Sequence, residues 1–132
     1  MNILLSIKPE WASLIYEGKK TIEWRKSYPS QFVSNETKVF LYETAPVQKV
    51  TGYFTLEAVM FAGVAVKEGY ISQSSIDKGC VKINDLKKYL GTSSHLYGWE
   101  VSLPHEYSDH KNLSDFGFNQ PPQSWCYIKE TV

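Results

Sequence analysis

Gly18-Lys19-Lys20-Thr21-Ile22-Glu23-Trp24-Arg25 is the stretch on which the fold turns. From Lys20 to Arg25 the residues alternate, with Ile22 and Trp24 on one side and Thr21, Glu23 and Arg25 on the other. Side chains of a strand point to opposite faces with a period of two, so this is a strand with one apolar and one charged face. Gly18 suits the left-handed cap that ends a helix. The helix itself is legible just upstream. Lys8-Pro9-Glu10 opens it, with proline at the first helical position and an acid facing the positive end of the dipole. Trp11, Leu14 and Ile15 then fall at i, i+3 and i+4 and form one apolar stripe. Residues 3–7 are apolar with a single serine and read as a buried strand. The chain therefore begins strand, helix, strand.

Further along, Lys38–Tyr42 is expected to form a strand before a turn at Ala45-Pro46, and Val50–Met60 a longer β-rich run. Gly52 within that run suits a bulge or a sharp bend. Gly63–Gly79 reads as one or two short helices, with Ser72 to Ser75 offering caps for a helix through Asp77. Asn84–Leu90 reads as a helix capped by Asn84 and stopped at Gly91. His95–Val101 is expected to be a strand broken by Pro104, and Trp125–Lys129 a last strand after Pro121-Pro122-Gln123-Ser124. About six short strands with helices in two insertions imply an α+β fold whose sheet curls into a barrel.

With 132 residues, the chain has the length of one domain, residues 1–132, and can bury a core without metal or disulfide staples. Fourteen positive residues balance fourteen negative ones, which excludes coating nucleic acid through a broad basic surface. The balance is uneven along the chain. Lys8–Lys26 carries five positive and three negative residues, and Arg25 within it is the only arginine among the fourteen. No stretch is long and apolar enough to span a membrane, and Met1–Lys8 lacks the basic start of a signal peptide. Cys80 and Cys126 show no Cys-x-x-Cys spacing, and His95, His105 and His110 complete no zinc pattern with them. The expectation is a cytoplasmic protein with no metal and no cofactor.

The chemistry concentrates around Glu23 and Arg25. Two residues apart on one strand face, they can hold each other in place, and arginine then offers a planar fork to a phosphate, a carboxylate or a nucleobase edge. Glu23 can accept from an amino group or serve as a general base. A solvated face of alternating charge explains the same pattern. Tyr42 and Glu43 end a strand beside the presumed cleft. His95, Tyr97 and Trp99 alternate and could stack a base, although core packing suits rings in so aromatic a domain better. Ser124 has neither a nearby histidine nor a Gly-x-Ser-x-Gly setting, so it reads as structural. Lys87 and Lys88 read as a solvated helix face.

Leu5-Ser6-Ile7-Lys8-Pro9-Glu10-Trp11-Ala12, followed by Ile15-Tyr16-Glu17-Gly18-Lys19-Lys20-Thr21-Ile22-Glu23-Trp24-Arg25-Lys26, resembles the opening signature of the ASCH domain. Tyr42-Glu43-Thr44-Ala45-Pro46-Val47 with Val50-Thr51-Gly52, and the closing Pro121-Pro122-Gln123-Ser124-Trp125, agree with it. The resemblance implies a PUA-like β-barrel with flanking short helices and a ligand cleft that binds RNA or a nucleotide-like molecule. It places Lys8, Lys20, Thr21, Glu23, Arg25 and Tyr42 as ligand contacts. Some relatives are hydrolases, acting on N4-acylated cytidine or on RNA, in which case Lys20 and Glu23 would be the catalytic pair. The amidohydrolase branch carries threonine where this chain has Glu23, and its further acidic partner aligns near Gly79. Asp77, Glu68 and Glu43 are the acids that could substitute.

Overall fold

In the computed structural model, which describes residues 1–129, the elements follow as β1 (Asn2–Ile7), α1 (Pro9–Tyr16), β2 (Ile22–Arg25), β3 (Lys38–Glu43), β4 (Lys49–Phe61), α2 (Gly63–Glu68), α3 (Gln73–Gly79), α4 (Ile83–Leu90), β5 (Tyr97–Lys111) and β6 (Trp125–Ile128). A 3₁₀ turn at Leu113–Phe116 precedes β6. All six strands join one curled sheet in the order β2-β5-β4-β3-β1-β6. Among the described residues only β1 and β3 pair in parallel, with Leu5 opposite Leu41, and the other neighbours run antiparallel. This is the six-strand α+β half-barrel expected of a PUA-like fold.

Strand periodicity sorts the side chains between cores. Ile3, Leu5, Ile7, Val39 and Leu41 turn inward and pack with Ala12 and Ile15 of α1 and with Trp99. Their alternates Leu4, Phe40 and Tyr42 turn outward, where Val50, Phe116 and Ile128 cover them. A separate cluster forms where α2, α3 and α4 fold over the back of β2, around Ile22, Trp24, Val66, Ile76 and Leu86. At about 25 cal/mol per Å² of apolar surface, burying a side chain such as Ile15 or Leu86 stabilises by roughly 1.5–3 kcal/mol.

Two expectations need correction. Pro104 does not end its strand, because β5 runs to Lys111. Between the pairs Tyr53↔His105 and Thr55↔Ser102, β5 spends one residue more than β4. That bulge takes the proline out of the ladder, where its missing N–H costs nothing, and Leu103 beside it adopts φ +47. Nor does Asn84 cap α4. The helix starts one residue earlier, with Lys82 at the cap position and no side-chain cap. Ser72, in contrast, caps α3 by accepting from the Ser75 amide at 3.1 Å. Gly52 sits at a register shift, where a Cβ would lie 2.1 Å from the His105 carbonyl oxygen. Among the described residues, no helix is long and apolar enough to cross a membrane.

The sheet ends at β2 on one side and β6 on the other, and side chains bridge the seam between these ends. Arg25 of β2 reaches the Ser6 carbonyl of β1 at 2.8 Å and the Ser124 hydroxyl ahead of β6 at 3.2 Å. Two residues beyond Arg25, the Ser27 hydroxyl accepts from Trp125 of β6 at 2.9 Å, while the Ser27 carbonyl accepts from Trp99 of the adjacent β5 at 3.1 Å.

Candidate functional site

A cavity of about 420 Å³ opens beside β2, between the end of β1, the start of α1 and the inner face of α4. Its charged wall consists of Lys8, Lys20, Glu23 and Arg25. Each arrives for a local reason. Lys8 stands at the N-cap of α1, exposed at the mouth, because Pro9 must take the first helical position. Glu23 and Arg25 share a face because they are two residues apart on β2. Lys20 follows the turn at Gly18, whose φ of +78 is a backbone setting that glycine adopts without strain.

Lys20 is the unusual member, since its side chain is only 2% exposed. The Lys20 Nζ donates to the Gly79 carbonyl at 2.5 Å, lies 3.5 Å from Glu23 Oε1, and sits 5.1 Å from the centre of the Trp11 ring. Burial pushes the lysine below its ordinary pKa, while Glu23 works in the opposite direction. The Gly79 carbonyl lies at the C-terminal end of α3, where the helix dipole also favours a cation.

Arg25 completes the chain of contacts. Its Nε donates to Glu23 Oε2 at 2.8 Å, so one carboxylate is shared by two cations. With Nη1 on Ser124 and Nη2 on Ser6, three of its five N–H groups are engaged. Among the described residues, one N–H on each Nη has no partner.

The edge of β2 adds main-chain chemistry. Thr21 accepts from the Val101 amide at 3.0 Å, and Ile22 lies opposite Glu100. By antiparallel alternation, Glu23 and Arg25 spend their main-chain groups on β5, while Trp24 turns its N–H and C=O toward the open edge beside the cavity. The Trp24 ring goes the other way, into the helix-covered core, and packs on Gly79. A Cβ at Gly79 would lie 2.0 Å from Trp24 Nε1. Among the described residues that indole nitrogen has no hydrogen-bond partner.

The cavity thus gathers four of the six expected contacts. Tyr42 is not one of them. Even-numbered residues of β3 face outward, so its ring is buried with Phe40 and Val50, and Thr44 reaches the cavity instead. Thr21 also stays outside the wall, pinned by its amide to the Lys78 carbonyl and by its carbonyl to Val101. None of the acids Asp77, Glu68 and Glu43 lines the cavity, and Asp77 accepts instead from Gln73. Nine further residues line the cavity without being expected as contacts, among them Trp11, Leu86, Tyr89 and Gln123. Leu86 and Tyr89 are spaced i, i+3 on α4, a pattern that shows they share a face without showing what it meets.

A match to the ASCH domain family model covers residues 5–119. The chain belongs to the ASCH family. An ASCH domain-containing ribonuclease from Zymomonas mobilis is 39% identical over 57 residues, covering 43% of this chain and 37% of that protein. The ATP synthase subunit alpha of Ureaplasma parvum is 28% identical over 131 residues, covering 97% of this chain and 15% of the subunit. The ASCH chain therefore spans well under half the length of either curated relative. Among solved structures, the ASCH protein of Zymomonas mobilis superposes with a TM-score of 0.76 at 23% identity, covering 98% of this chain and 88% of that one. At that identity the likeness shows the fold.

Proposed function

We propose that this ASCH domain binds RNA by taking one nucleotide of a single strand into the cavity beside β2. The observation that carries this reading is the shared carboxylate. Glu23 holds Lys20 and Arg25 side by side, and Lys8 stands at the same mouth, so three cations face one acid in a space of about 420 Å³. That volume lies within the ordinary range for small-molecule sites. A phosphate or a base carbonyl meets the free N–H groups of Arg25 and the ammonium of Lys8. The flat walls Trp11 and Tyr89 suit a base or a ribose. The Trp24 main chain offers one donor and one acceptor to a base edge. The ribonuclease name of the Zymomonas relative points the same way. We place this function in the cytoplasm, where RNA is available and the free thiols Cys80 and Cys126 stay reduced.

Calorimetric titration at low salt with nucleoside monophosphates and short single-stranded RNA tests the assignment. Lys8→Ala and Tyr89→Ala alter exposed residues and leave the core intact. Each is expected to weaken binding several-fold. Unchanged affinity in both variants would remove the cavity as the binding site.

Lys20 supports a second reading, hydrolysis. A lysine with a lowered pKa is a better base or nucleophile than an ordinary one. Against the amidohydrolase form of this reading, the position near which that branch carries an acid is Gly79, and its main-chain oxygen holds the lysine. Incubation with single-stranded RNA and with N4-acetylcytidine separates the classes. Turnover that disappears in Lys20→Met establishes catalysis, and no turnover by the unaltered protein leaves binding alone.

A further inference from the structure

An aromatic platform lies on the paired side of β2, across that strand from the cavity. Tyr28, Tyr97 and Phe61 form a three-ring cluster, with centroids 4.7 Å apart for Tyr28 and Tyr97, 5.0 Å for Tyr28 and Phe61, and 5.2 Å for Phe61 and Tyr97. Packing alone does not explain Phe61, which is 69% exposed at the end of β4. Its neighbours meet it at 52° and 84°, so neither ring lies flat upon it. An exposed phenylalanine in this setting presents π surface to solvent.

Strand register ties this platform to the cavity. Arg25 on β2 lies opposite Tyr97 on β5, and Tyr97 lies opposite Phe61 on β4. Directly opposed residues point to the same face, so Arg25, Tyr97 and Phe61 form one transverse row across three strands. Neighbouring strands are about 4.8 Å apart, which puts the far end of the row about 10 Å from Arg25. The segment that joins the two places carries charge as well. Arg25 and the exposed Lys26 precede Tyr28, and no acid follows until Glu36. The alternation of His95, Tyr97 and Trp99 suits a stacking surface less well than core packing. Trp99 is fully buried and His95 lies outside the strand, bonded through Nδ1 to the Tyr97 hydroxyl at 3.2 Å. The rings that remain open to solvent come from three separate segments of chain.

We propose that Phe61, supported by Tyr28 and Tyr97, stacks a second base of a single-stranded RNA whose adjacent nucleotide occupies the cavity. This rests on the RNA reading above and deepens it, because a free mononucleotide cannot fill both places. A cationic path bearing the backbone, leading to rings that stack bases, is the usual construction of a single-strand binding surface. Lys26, whose Nζ lies 4.7 Å from the centre of the Tyr89 ring, marks the cavity end of the path, Arg25 lies between the two positions, and Phe61 provides the stacking face.

The test compares adenosine 5′-monophosphate with an adenylate tetranucleotide by calorimetry, on the unaltered protein and on Phe61→Ala and Phe61→Trp. Phe61 is exposed, so both variants are expected to fold, and circular dichroism checks this. The unaltered protein should bind the tetranucleotide roughly tenfold or more tightly than the monophosphate, since one stacked base is worth that much. Phe61→Ala should lose this advantage with monophosphate affinity unchanged, and Phe61→Trp should keep it. Equal tetranucleotide affinity in Phe61→Ala and the unaltered protein overturns the platform while leaving the cavity assignment standing. Absence of binding by either ligand overturns the cavity assignment and the platform with it.

Discussion

Arg25 on one end strand of the sheet donates through Nη2 to the Ser6 carbonyl oxygen on β1, 2.8 Å away. β2 and β1 share no ladder, and the sheet order places three strands between them. The barrel is closed at this point by a side chain, and the same side chain lines the proposed ligand cavity.

Arg25→Ala is therefore expected to cost stability as well as binding. It leaves the Glu23 carboxylate, 7% exposed, with Lys20 as its one remaining cation among the described residues, and removes one of the side chains that bridge the seam. Removing one partner of a buried charged pair typically costs about 3–5 kcal/mol, and the 15% exposure of Arg25 puts this case toward the lower end. Urea unfolding of Arg25→Ala and Arg25→Lys measures it. Lysine is expected to recover part of the loss, because it keeps the charge without the fork.

Gly79→Ala isolates the other anchor of the cavity. A Cβ there meets the Trp24 indole nitrogen at 2.0 Å, and both are buried on rigid elements. Overpacking of this kind costs about 1–3 kcal/mol. The shift must also move the carbonyl that holds Lys20. The expected outcome is a lowered melting temperature together with weakened ligand binding.

Stability should follow pH in two stages at the alkaline end. Lys20 has a folded pKa below its ordinary value of 10.5, so between the two values the unfolded chain holds more protons. Unfolding free energy then rises with pH across that window. Tyr16, buried and bonded to the Thr51 hydroxyl at 2.7 Å, has its phenol pushed well above its ordinary value of 10.0, chiefly by burial. Above pH 10 the unfolded chain loses that proton first, and stability falls. Urea titrations from pH 7 to 11 should show the rise disappear in Lys20→Met and the later fall diminish in Tyr16→Phe.

Salt should matter only modestly for RNA affinity. With Lys8, Lys20 and Arg25 as the cations of the cavity, no more than three phosphate charges are neutralised there. At about 0.7 per phosphate for single strands, the plot of log K against log salt should have a slope of about −2 or shallower. A much steeper slope would place the main contact on a wider surface than this cavity.

Much of the cavity is legible in residues 8–25 because local patterns decide it. Pro9 fixes the start of α1, Gly18 its end, and alternation along β2 puts Glu23 beside Arg25. Long-range geometry decides the rest. Alternation on β3 divides Val39 and Leu41 from Phe40 and Tyr42 without saying which set faces the barrel, and Tyr42 belongs to the outer set. Tyr89 and Leu86 reach the cavity because α4 folds back over β2, which no local spacing around Asn84 records. Pro104 reads as a break because proline removes a ladder bond, but a bulge makes room for it within β5.

The outward-facing N–H and C=O of Trp24 have one more consequence. An end strand with unpaired main-chain groups is a template on which another chain can add, the first step toward aggregation. In this protein the unpaired edge is four residues long and faces a walled hollow, with α4 on one side and the Arg25 bridge on another. A foreign strand cannot lie flat along it, whereas a small planar molecule can enter. The hollow proposed to take a ligand also keeps the sheet from recruiting its neighbours.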